Sequence, residues 1–240
     1  MSDVSRTSSA VKLFTTVAAV FGVVAVNAGS NFTPGFNQLM LIELIISALI
    51  LILVFYLLIS FVVKYRVTNT ESNREGELDE KKFEIGWTLG ATIIVIALFF
   101  AAMAPTAQIY NPEGMENAVE TIRVTGGRDF SWTFTFENGS SYKANSARDF
   151  NGTQVKNEYN GKMYSPLVLK GNTMYKLEIT AADNSQIHSF FVYDLSIKAD
   201  AVPGVINPIY LKADPGTYWG TCAELCGSLH YNMLFVIIVR

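Results

Sequence analysis

The chain has 240 residues, half of them apolar and only 16% charged, against the ~25% charge usual in a soluble globular protein. That shortfall argues for segments that live in lipid, and the length leaves room for one ordinary domain besides. A net charge of −3 excludes the strongly basic surface that nucleic-acid binding requires.

In chain order, the first apolar stretch covers residues 11–28, with Arg6 and Lys12 near its start and Val26-Asn27-Ala28, similar to a signal-peptidase site, at its end. A cleaved signal peptide and a retained third span both fit, so residues 1–37 are read as an N-terminal segment of one kind or the other. The second stretch, 39–63, contains Glu43 as its only charge. At about 1.5 Å per residue its ~25 residues reach ~37 Å, enough to cross a ~30 Å hydrocarbon layer with some tilt. A third, 85–104, has the length a span needs, and Pro105 is expected to end it. Residues 38–105 thus read as a transmembrane hairpin. Its connecting loop carries Lys64, Arg66, Arg74, Lys81 and Lys82, whereas the flanks 30–38 and 106–122 carry no Lys or Arg. Basic loops stay in the cytoplasm, so everything after the hairpin is expected outside it, with the cell membrane as the setting.

From residue 106 to 240 the pattern changes to short alternating segments: 121–124, 130–136, 175–179, 190–192, 209–212 and 234–239. They are rich in Val, Ile, Thr, Phe and Tyr and are separated by Gly, Pro, Asn and Asp. This is the signature of an antiparallel β-sandwich or barrel. The whole reads as a membrane-anchored all-β protein with two N-terminal helices, or three if residues 11–28 are retained.

Only two cysteines, Cys222 and Cys226, and two histidines, His188 and His230, occur in the chain, and three of the four fall within nine residues. Met233 follows closely. Soft sulfur donors beside imidazole suit copper, and a thioether favours copper over a structural zinc, which prefers four Cys or His ligands. Taken alone, the cysteine pair favours an extracellular disulfide; His230, Met233 and the distant His188 are what shift the reading to a metal.

The string from Cys222 to Met233, CAELCGSLHYNM, is similar to the C-x-E-x-C-G-x-x-H-x-x-M loop of the cytochrome c oxidase subunit II family. IHSFFVYDLSIKADAVPG, beginning one residue before His188, resembles that family's H-S-F-x-V…K-x-D-A-x-P-G segment, and FEIGWT, beginning at Phe83, resembles the E-x-x-W-T opening of its second transmembrane helix. The resemblance implies a cupredoxin-like outer domain carrying a dinuclear Cu_A centre. Cys222 and Cys226 would bridge two copper ions, His188 and His230 would each bind one, and Met233 and the backbone carbonyl of Glu224 would be weak ligands. The Glu224 side chain would help hold Mg or Mn at the boundary with a haem-bearing subunit I, which would also hold the O2 site. Asp200 would lie at the same boundary, and Glu84 near the mouth of a proton pathway. Electrons would come from a soluble carrier, cytochrome c or a small blue-copper protein, and pass to haem in subunit I, where O2 becomes water and protons are moved.

Three departures from the family pattern stand out. Its aromatic strand, G-x-x-W-x-W, reads here Gly127-Arg-Asp-Phe130-Ser-Trp132, so Phe130 occupies the family's electron-entry position and Trp132 is kept. Val205 stands where an arginine is common, and Gly90 and Ala91 stand where a proline follows W-T. From residue 108 onward 13 acidic and 11 basic residues nearly balance, which gives little net field to steer a basic donor. Competing readings are a copper-free quinol oxidase subunit, a membrane-anchored copper carrier or sensor acting without subunit I, and a disulfide-closed binding module.

Overall fold

The computed structural model describes residues 29–64, 66, 80–146, 151–158 and 160–240. The 11–28 stretch and Arg74 lie outside the described residues. The described residues divide into two units: those within 38–106 form one, and those within 107–240, joined by residues 29–37, form the other.

Helix α1, Thr33–Lys64, and helix α2, Glu80–Tyr110, are long and apolar enough to cross a membrane. They are apolar on every side: Leu49, Ile52, Tyr56, Val62, Ile93 and Phe99 are each more than 60% exposed. A helix that hides no apolar stripe against protein is stable only where its surroundings are themselves apolar, and a helix satisfies its own backbone groups there. The span expected to stop at residue 104 instead runs through Pro105 to Tyr110. Proline deletes one N–H donor and crowds the carbonyl four residues back, but neither effect prevents the following residues from resuming the helical ladder. That ladder continues as far as the bond from Asn111 N to Ala107 O, 2.8 Å.

The β unit contains two five-stranded sheets and a small hairpin. The first sheet has the order β10 (Asn207–Leu211), β7 (Tyr175–Ala181), β1 (Thr121–Gly126), β2 (Trp132–Phe136) and β3 (Ser141–Lys143). The second has the order β6 (Leu167–Leu169), β12 (Leu234–Val239), β11 (Gly216–Cys222), β8 (His188–Val192) and β9 (Ile197–Ala201). Strands β4 (Val155–Lys156) and β5 (Met163–Tyr164) form the hairpin. Most pairings are antiparallel, as expected, but β1 with β7 and β6 with β12 are parallel, so long connections cross between the sheets.

Alternation decides which side chains enter the core. Along β7, every second residue from Tyr175 to Ala181 is buried, as period-2 side-chain geometry requires. Ile122, Val124, Trp132, Phe134, Leu177 and Ile179 from the first sheet share one apolar core with Phe190, Val192, Phe235 and Ile237 from the second. Trp132 sits edge-on to Phe190 at 5.3 Å and to Phe235 at 5.8 Å, while those two rings stack at 4.2 Å. These geometries suit the ring quadrupoles. The segment before α1 also docks here. Asn31 N donates to Lys212 O at 3.0 Å, Ser30 Oγ donates to Leu195 O at 2.7 Å, and Phe32 is 6% exposed. Residues 29–32, grouped from sequence with an N-terminal segment, therefore belong to the β unit's packing.

Candidate metal centre

Strand pairing brings the distant ligands together. Cys222, the last residue of β11, pairs with Phe190 of β8. His188 lies two residues before Phe190 and so on the same face of the sheet, diagonal to Cys222. The His188 Nδ1 is 3.8 Å from the Cys222 Sγ. The chain then leaves the sheet, and the loop is pinned at its base: Cys222 N donates to Met233 O at 3.0 Å, and Ala223 N to Ser189 O at 2.9 Å. Met233, 1% exposed, is buried at this base. A 3-10 turn, His230–Asn232, ends the loop and aims the His230 Nδ1 at the Cys226 Sγ, 3.4 Å away.

The two sulfurs are 3.9 Å apart, and both cysteines are free and buried. His188, Cys222 and Cys226 offer donor atoms all within 4.8 Å of one another. The Glu224 carbonyl lies 3.3 Å from the Cys222 Sγ, while Glu224 as a residue is exposed. Each sulfur therefore has an imidazole nitrogen against it, with a backbone carbonyl and a buried thioether residue at the margin. Such a donor set fits copper, a soft ion that takes thiolate, imidazole and thioether together.

The surroundings hold His188 in place. Its Nε2 meets Ser185 Oγ at 3.3 Å, and its ring packs edge-on to Trp132 at 6.0 Å. These contacts leave Nδ1 to face the sulfurs, the usual way a second partner orients a metal-binding imidazole. Gly126 supplies the space, since a Cβ there would lie 2.7 Å from the His188 Cδ2. Burial lowers the His188 pKa, and His230 adds to the effect; the Gly127 backbone and Asp129 oppose it. The imidazole is thus kept neutral, as a ligand must be. Burial, then the Cys222 thiol, raise the Cys226 pKa, so in the metal-free site that sulfur keeps its proton until a metal displaces it.

Of the remaining residues singled out from sequence, Trp132 and Phe130 border this cluster without offering it a donor atom. Trp132 is fully buried in the core, with its ring 6.0 Å from that of His188. Phe130 is half-buried in the turn before β2, at φ 58. Asp200 is exposed on β9, with its carbonyl accepting from Asn207 Nδ2 at 2.5 Å. Glu84 is exposed on α2. Sequence reasoning missed Gly126 and Ser185; the only hint of the first was the glycine doublet it forms with Gly127 at the end of an alternating strand, and nothing pointed to the second.

A two-helix membrane anchor followed by a mixed β-sandwich, with sulfur and imidazole gathered at one end, defines a membrane-bound, cupredoxin-like metal protein. The family model for "Cytochrome C oxidase subunit II, periplasmic domain" matches residues 121–239, and that for "Cytochrome C oxidase subunit II, transmembrane domain" matches residues 18–104. Curated proteins named cytochrome c oxidase subunit 2 are similar to the chain. That of Periplaneta americana is 28% identical over 201 residues, covering 79% of this chain and 81% of that one. That of Zancudomyces culisetae is 31% identical over 200 residues, covering 79% and 74%. That of Alkalihalophilus pseudofirmus is 32% identical over 205 residues, covering 83% and 53%. The chain belongs to the cytochrome c oxidase subunit II family. It is subunit II of a haem–copper oxidase, a membrane component of an oxidoreductase complex with a periplasmic domain.

Proposed function

We propose that His188, Cys222, Cys226, His230, Met233 and the Glu224 carbonyl hold two copper ions as a Cu_A centre, the oxidase's point of electron entry. The observation that carries this reading is the pairing of each sulfur with its own imidazole, 3.8 Å for Cys222 with His188 and 3.4 Å for Cys226 with His230, across a 3.9 Å sulfur–sulfur gap. A single tetrahedral ion would use two sulfurs and two imidazoles alone; the Glu224 carbonyl at 3.3 Å from the Cys222 Sγ and the buried Met233 beside them add donors that suit a pair of copper ions. Copper bound there would supply a one-electron relay between a soluble donor and haem in subunit I.

The chain's own residues contribute rigidity and dryness. Paired strands β8 and β11 carry His188 and Cys222, and buried Met233 and Trp132 exclude water from beneath the loop. Ligands that barely move between oxidation states keep the reorganisation cost of electron transfer low. The nearly balanced charge of the outer domain is compatible with either cytochrome c or a small blue-copper protein as donor. Glu224 offers an exposed carboxylate for Mg or Mn, the rest of whose ligands would come from subunit I. Asp200 would face the same partner, and Glu84 would serve a proton pathway there. The setting is the plasma membrane.

Electron paramagnetic resonance of the detergent-solubilised chain loaded with copper tests this. One unpaired electron shared over two copper nuclei is the expected spectrum. A single-copper spectrum rejects the dinuclear reading. Copper binding without any haem in the complex purified under mild conditions favours a carrier or sensor instead.

A further inference from the structure

Residues 126–131, the turn between β1 and β2, touch both halves of the donor set. At one end, where the turn leaves β1, it meets His188: Gly126 packs against the ring, and a Cβ there would lie 2.7 Å from its Cδ2 and 3.1 Å from its Cγ. At the other end Phe130 meets the ligand loop. A Cβ at Gly227 would lie 2.9 Å from the Phe130 Cζ and 3.0 Å from its Cε1, so the ring edge rests on that glycine's backbone. Gly227 lies between Cys226 and His230, at φ 137, in an exposed arc that includes Leu225, 83% exposed.

Phe130 adopts φ 58, a left-handed conformation that is uncommon for a bulky side chain and that glycine adopts freely. The turn is held firmly around it. Gly127 N donates to Ser131 O at 2.9 Å, Phe130 N donates to Gly127 O at 3.0 Å, and Ser131 Oγ donates to Asp129 Oδ1 at 2.6 Å. Asp129 is also ion-paired with Lys143. A residue kept in a costly conformation by so many neighbours points to a use for its side chain.

We propose that Phe130 is a positioning residue for the metal centre: its ring, set against Gly227, fixes the Cys226–His230 half of the donor set relative to His188, whose ring packs on Gly126 at the start of the same turn. This rests on the copper reading above. It gives Phe130 a role in shaping the centre, distinct from the electron entry that the family resemblance assigns to that position. One turn thereby references two ligand groups that arrive on separate parts of the chain.

The test is Phe130→Gly in the full detergent-solubilised chain, with Phe130→Tyr beside it. Three quantities are read: melting temperature of the metal-free protein, copper affinity by competition with a chelator, and the copper hyperfine pattern. Glycine suits the turn's backbone but gives up the ring's packing on the core, so the metal-free Phe130→Gly chain should still melt cooperatively, at a modestly lower temperature. Its copper affinity should fall about 10- to 100-fold, the usual effect of losing an outer support, with an altered hyperfine pattern. Phe130→Tyr should restore both. Wild-type affinity and spectrum in Phe130→Gly overturn the proposal. So does loss of cooperative melting in the metal-free Phe130→Gly chain, which marks general loss of fold, and so does failure of Phe130→Tyr to restore. A wild-type chain that takes up no copper, read before any substitution, overturns the copper reading and this proposal with it.

Discussion

His188 and Cys222 are 34 positions apart in the chain, yet the imidazole Nδ1 lies 3.8 Å from the sulfur. The register of β8 against β11 is what closes that distance, because Cys222 pairs with Phe190 and His188 shares the face of Phe190. A one-residue slip would turn His188 to the opposite face. The site's geometry is therefore a property of the sheet.

Replacing either sulfur should destroy the shared centre. Cys222→Ser and Cys226→Ser are each expected to lose the two-nucleus copper spectrum and to weaken copper binding by more than the ~10–100-fold that loss of an outer support causes. Paramagnetic resonance with chelator competition measures both. A serine variant that keeps the two-nucleus spectrum contradicts the bridging role.

Stability of the metal-free chain should depend on pH at both ends of the range. His188 has a pKa lowered from 6.5 by burial, so the unfolded chain takes up a proton before the folded one, and stability declines as pH falls below 6.5. Cys226 has a pKa raised from 9.0 by burial and by Cys222, so the unfolded chain loses its proton first, and stability declines as pH rises above 9.0. Denaturant titration under reducing conditions should show a plateau between those values. His188→Gln should flatten the acid limb; an unchanged limb would remove His188 from the account.

Gly126→Ala should push a methyl group into the His188 ring, whose Cδ2 would be 2.7 Å from the new carbon. Overpacking of this kind costs about 1–3 kcal/mol. The shift in denaturation midpoint is the measurement, and copper affinity should drop in parallel. Full wild-type stability and affinity would mean that the ring moves aside without consequence.

Phe235→Ala tests the core beneath the site. Phe235 is fully buried and stacked on Phe190 at 4.2 Å, so truncation should cost about 3–5 kcal/mol, as large-to-small changes in aromatic cores do. Calorimetry would register it as a lowered melting temperature, and a loss below about 1 kcal/mol would show a core far looser than its packing implies.

Much of this molecule is legible in its sequence, for physical reasons that differ by element. The two spans announce themselves by uninterrupted apolar length, and β7 and β12 by alternation or continuous β-branched residues. Strand β11 escapes because Gly216, Thr217 and Gly220 dilute its pattern, and the three-residue or shorter β3 to β6 carry too few positions to show a period. Pro105 misleads because a proline's local penalty is overridden by the residues on either side. The sulfur and imidazole cluster is readable because cysteine and histidine are so scarce here that their spacing stands out. The supports are not: Gly126, Ser185 and the contact of Phe130 with Gly227 depend on how a turn folds, and Phe130 adopts a backbone angle that its residue type argues against.

Strand β12 lies between β11 and β6, antiparallel to one and parallel to the other, and it follows directly from the ligand loop. It must therefore slot into the interior of a sheet whose other members come earlier in the chain. Until it arrives, two strand edges stay unpaired and the loop has no anchor at Met233, so the same step that seals the domain against mispairing also completes the place where metal can settle.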